Sequence, residues 1–596
     1  MNNYHKFHIP VMGTAFTADT PLKVAQYGIN SVVSIVDDVL LERLRKVYCE
    51  KNGFSYTEIT KKNKDHRANR ITSYLNLIHE LTNKKVKEFK TLTKEKFEDI
   101  KKYYSLLPNS SKIKQDFFKI IESSFDFEDL QEWLISNLSV GSIDVNIMTK
   151  VDKTNFHKNT ELPVEYNDAH AALRGYAKSD LESSIIFSAG MNPRLYGYIA
   201  DFPDFYPDLN GNIKKKIVLK VSDYRSAIIQ GKFLAKKGLW VSEYRIESGL
   251  NCGGHAFATD GLLMGPILSE FRKNREDLIE ETYKTLITAL SQLNKIIPKK
   301  KLNIKVTAQG GVGTSAEQEF LIDHYNLDSV GWGTPFLLVP EVTTVDDDTR
   351  KKLIAAKEND LYLSKVSPLG VPFNNLKNNS KDIERDDKIL NGKPGSSCPR
   401  RFLALSQQYD KQGICSASRK FQKIKIKESN NDSNISLDNV FEKTCLCVGL
   451  SAPAIINNNI DVKDSRAVSI CPGPNLAYFS NLMTLEEISH HIYGLKESKV
   501  REDRPHFFVK ELELYMDYFK EKLDESATSF NKRQEKYFQK FLDNMNDGVN
   551  YYTNLFEDMK LNFFKKGDLV LESIKKQKIH LEEISRKIAL LKSELE

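Results

Sequence analysis

The sequence predicts an α/β protein: a (β/α)8 TIM barrel with a helical insertion after strand 2 and a C-terminal helical extension. Eight short runs are rich in Val and Ile, and helix-length segments separate most of them. The runs do not alternate apolar and polar residues, which is typical of a parallel sheet covered on both faces. Eight strands close such a barrel. A doubly wound open sheet is the structural alternative, because a strand count does not show closure.

The order of segments along the chain predicts four regions. The strands are predicted at residues 8–16, 31–36, 142–151, 183–191, 215–222, 239–248, 303–311 and 329–338. The barrel therefore takes up residues 1–37 and 139–373. Residues 38–138 are Lys-rich with apolar residues at helical spacing, and form the insertion. Residues 374–506 are polar, turn-rich and predicted to be irregular. Residues 507–596 repeat apolar residues at spacings of three and four, which predicts long helices that pack on the barrel or self-associate.

Composition excludes several classes of protein. The chain has 596 residues, of which 40% are hydrophobic and 28% are charged. We see no apolar run near the roughly 18 residues that span a bilayer, and the start MNNYHKFHIPVMG lacks the pattern of a secretory signal. Seven cysteines are few for a disulfide scaffold, and their odd number fits a reducing compartment. We therefore expect a cytoplasmic protein that is not membrane-bound.

The charge is balanced overall but uneven along the chain. The net charge of +7 comes from 87 basic and 80 acidic residues, which does not indicate a nucleic-acid-binding protein. Residues 39–138 carry 20 Lys and Arg against 15 Asp and Glu, whereas residues 501–596 carry 18 against 19. An acidic partner is therefore expected at the insertion.

Glycine-rich sequences follow the last three predicted strands. They are GLNCGGH at 249–255, AQGGVGT at 308–314 and GWGT at 331–334. Paired glycines permit close backbone approach and leave N–H groups for phosphate oxygens, especially where a helix begins just afterwards. Any one pair could equally be a turn required by the strand-to-loop geometry. Three in succession favour a phosphorylated cofactor, since barrels often bind phosphate after strands 7 and 8.

These motifs resemble a known family. GGH at 253–255, AQGGVGTSAE at 308–317 and GWGTPFL at 331–337 are, in this order, similar to the nitronate monooxygenase family, formerly called 2-nitropropane dioxygenases. Relatives of that family include flavin enoyl-acyl carrier protein reductases and PfaD-type enzymes of polyunsaturated fatty acid and polyketide synthesis. The resemblance covers roughly residues 8–37 and 140–373. It implies a TIM barrel that holds FMN.

The resemblance also implies roles for particular residues. It places the FMN phosphate on Gly310, Gly311, Gly333 and Thr334, and the isoalloxazine near Met12, Gly13, Asn146 and Lys220, with Gly253, Gly254 and Gln309 completing the cofactor-binding set. His255 matches the catalytic histidine, which acts as a base toward a nitronate or as a polar group beside an enoyl substrate. An imidazole with its ordinary pKa near 6.5 can move a proton at neutral pH. A histidine hydrogen-bonded to loop backbone is the structural alternative.

The function expected from these residues is that of an FMN-dependent oxidoreductase with a small-molecule substrate. NAD(P)H is a candidate electron donor, and the sequence is compatible with an oligomer. Oxidation of a nitronate is the first expectation. The alternative within the class is a PfaD-like enoyl reductase acting on acyl chains bound to an acidic carrier protein, which Thr259-Asp260 and the basic insertion favour. Three residues separate His255 from this pair, wider than the PfaD spacing. The alternative of another class is a non-catalytic FMN- or phosphate-binding scaffold in an assembly.

Five cysteines fall within residues 398–471. Thiolates in this number could bind zinc or an iron-sulfur cluster. However, there is no C-x-x-C pair, and the only close pair is C-x-C. Buried free thiols and no metal site are therefore expected. If a metal is bound, the first candidates are Cys398, Cys415, Cys445 and Cys447.

Overall fold

A computed structural model describes residues 4–91, 97–123, 127–430, 437–496, 499–559 and 567–594. Eight parallel strands form a closed barrel, which confirms the predicted fold class. The strands are β1 Phe7–Ile9, β2 Asn30–Ser34, β3 Ile143–Ile147, β4 Ser184–Phe187, β5 Lys216–Val221, β6 Val241–Glu247, β7 Lys305–Gln309 and β8 Ser329–Gly331.

The first strand closes the barrel. In β1, His8 pairs with Asn30 of β2, and Phe7 pairs with Val330 of β8. The open doubly wound alternative is therefore wrong. Each of the eight predicted strands is present but shorter than predicted. The last one ends at Gly331, because Pro335 cannot donate to a sheet and the chain turns into the 3-10 helix Thr334–Leu338.

Helices surround the barrel on its outer side. Between the strands and after β8 they are Pro21–Val24, Asp168–Ala177, Pro193–Tyr198, Tyr224–Ala235, Met264–Gln292, Ser315–Tyr325 and Asp347–Ala355. The apolar side chains of the strands and of these helices belong to one continuous core. A two-stranded antiparallel pair, Phe156–His157 and Thr160–Glu161, lies in the loop after β3.

The insertion after β2 is helical, as predicted. Its helices are Asp38–Asn52, His66–Lys90, Phe97–Ser105, Lys112–Glu122 and Phe127–Asn137. The buried guanidinium groups of Arg67 and Arg70 share the carboxylate of Asp38, at 2.5 and 2.9 Å. Arg67 Nε also donates to the carbonyl of Asp168, at 3.0 Å, on a helix of the barrel. The start of the insertion is thus part of the barrel wall.

Residues 374–506 contain more helix than the predicted irregular structure. After the hairpin β9 Leu361–Ser364 and β10 Phe373–Leu376, the helices are Ser380–Leu390, Arg419–Ser429, Asp438–Phe441, Leu446–Gly449, Ala452–Asn457 and Leu485–Ile492. Asn379 caps the first of them, because its Oδ1 accepts the N–H groups of Lys381 and Asp382. The charged composition of this helix concealed it from a search for apolar periodicity.

One stretch of this region differs from the expectation that no segment could span a membrane. Residues Asp438–Asn457 are long and apolar enough to cross a bilayer by length and composition alone. Most of the stretch is buried inside the protein, and it is divided into three short helices. Core segments of soluble proteins meet the same test, so this stretch is weak support for a membrane span.

The C-terminal extension packs on the barrel. Its helices are Phe507–Ser526, Lys532–Met559 and Gly567–Ser593. The hydroxyl of Tyr552 accepts the N–H of Gly265 at 3.1 Å, and the hydroxyls of Tyr551 and Tyr325 lie 2.9 Å apart. These contacts join the extension to two outer helices of the barrel.

Candidate functional site

Four polar side chains lie on the inner face of the barrel at the carboxyl ends of the strands, and hydrogen bonds join three of them. They are Asn146 on β3, Lys220 on β5, Glu247 on β6 and Gln309 on β7. Lys220 Nζ donates to Glu247 Oε1 at 2.9 Å, and Gln309 Nε2 donates to the same oxygen at 2.5 Å. The alternating residues Val145 and Ile246 belong to the outer core, so the four polar groups lie on the inner face.

Glu247 did not figure among the residues expected at the site. It continues an alternating set on β6 with Glu243 and Arg245. Arg245 Nε donates to Glu243 Oε1 at 2.8 Å, and the hydroxyl of Thr307 donates to the same oxygen at 2.6 Å. Charges at every second position of an otherwise apolar strand were the available signal, because inward positions of a barrel alternate with outward ones.

The end of the barrel at which the strands have their carboxyl ends is its mouth. Several polar atoms around the mouth have no hydrogen-bond partner within the described part of the chain. Asn146 Oδ1 is buried and accepts no hydrogen bond there, whereas Gln309 faces the buried ring of His8. The backbone N–H groups of Gly311, Val312 and Gly333 donate to no atom among the described residues. Buried polar groups are normally paired, so these atoms can receive a ligand. The amide oxygen of Asn146 suits a donor on a heterocycle, and the N–H groups suit an anion.

The loop after β7 leads into the helix Ser315–Tyr325, as predicted. Buried Glu317 Oε2 accepts the N–H of Gly313 at 2.8 Å, and its Oε1 lies 2.7 Å from Arg504 Nη1. Burial acts to raise the pKa of Glu317, but Arg504 and the hydrogen bonds outweigh it, and the pKa is lowered. Glu317 is therefore ionised and neutralised by Arg504, so an anion held by this loop meets no unpaired carboxylate.

Packing within the protein requires glycine at both central positions of this loop. Gly310 and Gly311 have φ of +133° and +78°. A Cβ atom on Gly310 would lie 2.8 Å from Ser248 Cβ, and one on Gly311 would lie 2.0 Å from Asn251 Nδ2. A side chain at Gly311 would thus disturb the fold as well as any phosphate site, and cannot isolate one effect from the other.

The segment Cys471–Pro472–Gly473–Pro474 crosses the mouth of the barrel. The N–H of Gly473 donates to Thr334 Oγ1 at 3.1 Å. A Cβ atom on Gly253 would lie 2.5 Å from the carbonyl oxygen of Cys471, and the N–H of Gly254 donates to that oxygen at 3.2 Å. The segment was assigned to the irregular region with no role at the site. Its place here comes from contacts between distant parts of the chain.

The first predicted strand end also reaches the mouth. Gly13 has φ of +52°, and its Cβ position is filled by the ring of Phe16 at 2.7 Å. The N–H of Gly13 lies near the thiol of Cys471 and acts to lower its pKa, against the larger effect of burial, which raises it. A Cβ atom on Gly333 would lie 3.7 Å from Met12 Sδ. Met12 and Gly13 therefore adjoin the glycine loops after β6 and β8.

His255 lies beside the hairpin β9–β10. Its Nε2 is 2.7 Å from the hydroxyl oxygen of buried Ser367, and its ring packs against Phe373 with centroids 4.9 Å apart. Its Nδ1 makes no hydrogen bond within the residues that the structure describes. Burial lowers its pKa to about 4, so the imidazole is uncharged at neutral pH. This corrects the expectation of a histidine near its ordinary pKa.

The Thr259-Asp260 pair contacts the C-terminal extension. Lys540 Nζ lies 2.5 Å from Asp260 Oδ2, and Asn544 Nδ2 donates to the carbonyl of Asp260 at 2.7 Å. Both residues of the pair have positive φ. The pair therefore has a structural use, which weakens its value as a sign of enoyl reduction.

A buried carboxyl from the extension lies behind the mouth. Glu511 Oε1 accepts the hydroxyl of Ser248 at 2.6 Å, and Oε2 accepts the N–H of Met264 at 3.0 Å and the hydroxyl of Tyr552 at 2.8 Å. Burial raises the pKa of Glu511 to about 7, against the opposing effect of these donors. Sequence reasoning missed this group because nothing along the chain links residue 511 to the end of β6.

Comparison with known proteins gives one solved structure to report. The chain is similar to the enoyl reductase domain of MlnA from the macrolactin biosynthesis cluster of Bacillus amyloliquefaciens, at 14% identity and a TM-score of 0.31, over 62% of this chain and 86% of that one. No protein-family model and no curated protein matches. Because the identity and the TM-score are this low, we draw no functional conclusion from the likeness. The closed barrel of eight parallel strands itself defines the class of this protein, a TIM barrel.

Proposed function

We propose that this protein is an FMN-dependent oxidoreductase that acts on a small nitronate. The observation that carries the proposal is the unpartnered buried acceptor Asn146 Oδ1, together with the Lys220–Glu247 ion pair, on the inner face of the barrel mouth. When bound, FMN supplies hydride or single-electron transfer, which protein side chains do not provide. The chain contributes binding, orientation and proton handling.

The residues present fit this cofactor. Asn146, Gln309 and Lys220 offer acceptors and a cation to the polar edge of the ring system. The N–H groups of Gly311, Val312 and Gly333, together with the start of helix Ser315–Tyr325, offer donors to the phosphate. Met12, Gly13, Gly253, Gly254, Gly310 and Thr334 complete the walls of this site.

The state of His255 favours a nitronate over an enoyl substrate. With a pKa of about 4 the imidazole is unprotonated at neutral pH, so through Nδ1 it can accept the carbon-bound proton that the nitroalkane form of the substrate loses to become the nitronate. Reduction of an enoyl group requires an acid that delivers a proton to carbon. An uncharged imidazole with so low a pKa is poorly suited to that step.

The proposal is tested by the colour and the reduction of the purified protein. We expect a flavin spectrum that bleaches anaerobically with a nitronate, and NAD(P)H is assayed beside it as the alternative electron donor. Bleaching by an enoyl thioester but not by a nitronate would select the alternative activity. Protein that gains no flavin spectrum with added FMN would contradict the proposal, and bound FMN that no donor reduces would indicate the non-catalytic scaffold.

Replacing Asn146 by leucine tests the cofactor site directly. The Oδ1 atom has no partner in the protein, so its removal should leave the free energy of unfolding within about 1 kcal/mol of the parent. We expect the Kd for FMN to rise by about tenfold, the value of one hydrogen bond. Thr82→Val, which removes another unpartnered buried oxygen on helix His66–Lys90, is the matched control. Equal FMN affinity in both variants would argue against this site.

The basic insertion keeps the carrier-dependent alternative testable. Lys84 and Lys87 are exposed on helix His66–Lys90. Lys85 Nζ instead donates to the carbonyl of Leu22 at 2.5 Å, and burial lowers its pKa. Lys85 is also exposed as a residue, but its ammonium group makes a structural contact, so Lys84 and Lys87 are the lysines suitable for charge reversal.

The double variant Lys84→Glu/Lys87→Glu should turn over small nitronates like the parent at every salt concentration. The control is Lys575→Glu/Lys578→Glu, an exposed pair with the same spacing on the last helix. A loss confined to carrier-bound substrate would support the alternative, if it vanishes as the Debye length shortens from about 10 Å at 0.1 M to about 3 Å at 1 M salt.

A further inference from the structure

Three side chains from the region after the barrel hold consecutive carbonyl groups of the glycine loop that follows β7. Each of the three donates one hydrogen bond to the loop, and they lie between 163 and 193 residues away from it along the chain. The donors and the carbonyl groups that accept from them are Arg504 Nη2 with Gly311 at 2.5 Å, Asn475 Nδ2 with Val312 at 3.0 Å and His491 Nε2 with Gly313 at 2.8 Å.

The three donors are themselves held in place. Asn475 and His491 are buried, and the side chain of Arg504 is almost fully buried. Arg504 Nε donates to Asn475 Oδ1 at 2.6 Å, and Arg504 Nη1 lies 2.7 Å from Glu317 Oε1. His491 Nδ1 accepts the N–H of Lys499 at 3.1 Å, so its proton is on Nε2, which faces the loop. Each donor therefore has a defined direction.

These bonds fix the direction of the peptide groups in the loop. In a trans peptide the C=O group and the N–H of the next residue point in opposite directions, and the described residues contain no cis peptide bond. Because the carbonyl groups of Gly311 and Gly313 point toward the three donors, the N–H groups of Val312 and Thr314 point away from them. Neither N–H donates to an atom among the described residues. These N–H groups are therefore available to an anion.

The glycines of the loop make such bonds necessary. Gly310 and Gly311 have positive φ, and a glycine peptide has no side chain that limits its rotation. A carbonyl group that was not held could turn its oxygen toward an anion and repel it. Successive N–H groups that already point to one side form an anion-binding concavity. Donors arranged in advance lose little free energy to reorganisation when the ligand binds.

We infer that Asn475, His491 and Arg504 are positioning residues for the phosphate group of the cofactor. By holding the carbonyl groups of residues 311–313 they keep the loop in its anion-binding conformation. The inference rests on the proposed function, since the anion is the phosphate of FMN. It gives the part of the chain after the barrel a role in cofactor binding, although none of its residues lies in the glycine-rich motifs.

The test compares the affinity of the full chain for FMN with its affinity for riboflavin, which has the same ring system and no phosphate. His491→Leu removes one donor to the loop. Burial lowers the pKa of this histidine, so the substitution changes no charge at neutral pH. We expect the Kd for FMN to rise by about tenfold, the value of one hydrogen bond. The Kd for riboflavin should stay within about twofold of the parent value.

The neighbouring histidine provides the matched control. His490 is buried on the same helix, Leu485–Ile492, and its Nε2 lies 3.3 Å from the carbonyl oxygen of Ser105, which is outside the glycine loop. His490→Leu should therefore bind both flavins like the parent. His491→Gln keeps an N–H donor and should restore most of the affinity for FMN. Asn475→Leu removes the donor to Val312 and should repeat the selective loss.

The outcomes separate this inference from the proposed function. A parent protein that binds neither flavin would contradict the proposed function, and this inference with it. A parent that binds riboflavin as tightly as FMN, or His491→Leu and Asn475→Leu variants with the parent ratio of the two affinities, would overturn the inference alone. An equal loss of affinity for both flavins would show a general structural role and overturn it too. If His491→Leu fails to fold, Asn475→Leu and the parent comparison still decide.

Discussion

Replacing His255 by alanine is expected to lower turnover by a factor on the order of 10² to 10⁴, the usual share of general acid-base catalysis, while FMN stays bound. In the proposed function the uncharged imidazole accepts the proton from the substrate, and alanine has no replacement for it. His324→Ala, which removes a partly buried histidine on helix Ser315–Tyr325, is the matched control and should retain the parent rate.

The pH profile distinguishes proton transfer from a structural role. A base with a pKa of about 4 loses activity only as the pH falls toward about 4, so kcat/KM should be level between about pH 5 and 8. Ser367→Ala removes the hydroxyl beside Nε2 of His255. This variant should shift the pH at which kcat/KM falls on the acidic side, while its affinity for FMN is unchanged. Parent turnover in His255→Ala, with the same acidic limb, would show that the histidine is structural.

The second large effect is expected on the free energy of unfolding, and its source is the buried carboxyl of Glu511. Its pKa is about 7 in the folded protein, against 4.5 for the free side chain. The folded state therefore binds the proton more tightly, and stability falls as pH rises from about 4.5 to about 7. At about 1.4 kcal/mol for each unit of pKa, the destabilisation at pH 8 is about 3 kcal/mol.

Glu511→Gln should remove this penalty. The amide resembles the protonated carboxyl and can still accept from Met264 and Tyr552 while it donates to Ser248 Oγ. We expect a variant that is up to about 3 kcal/mol more stable than the parent at pH 8 and equal to it near pH 4, measured by denaturant unfolding.

The control for this experiment is Glu513→Gln on the same helix. Glu513 pairs with Lys510 at 3.4 Å near the surface, so its replacement should change stability by less than about 1 kcal/mol. If Glu511→Gln is destabilised at pH 8, the carboxylate form is the better partner for its three donors, and the pKa argument is wrong.

The sequence by itself determined the barrel and the part of the site that lies on it. Buried parallel strands read as short apolar runs because helices cover their outer faces, so eight strands could be counted directly. Asn146, Lys220 and Gln309 lie at one end of the barrel because the carboxyl ends of its parallel strands share that end. Closure itself depends on pairing between β1 and β8, which lie more than 300 residues apart.

Only the tertiary structure decided what covers and surrounds that mouth. Arg504 beside the glycine loop, the segment Cys471–Pro474 over Gly253, and Glu511 behind Ser248 come from residues far away along the chain. No local periodicity encodes such contacts, because they result from packing between elements and not from the conformation of any one of them.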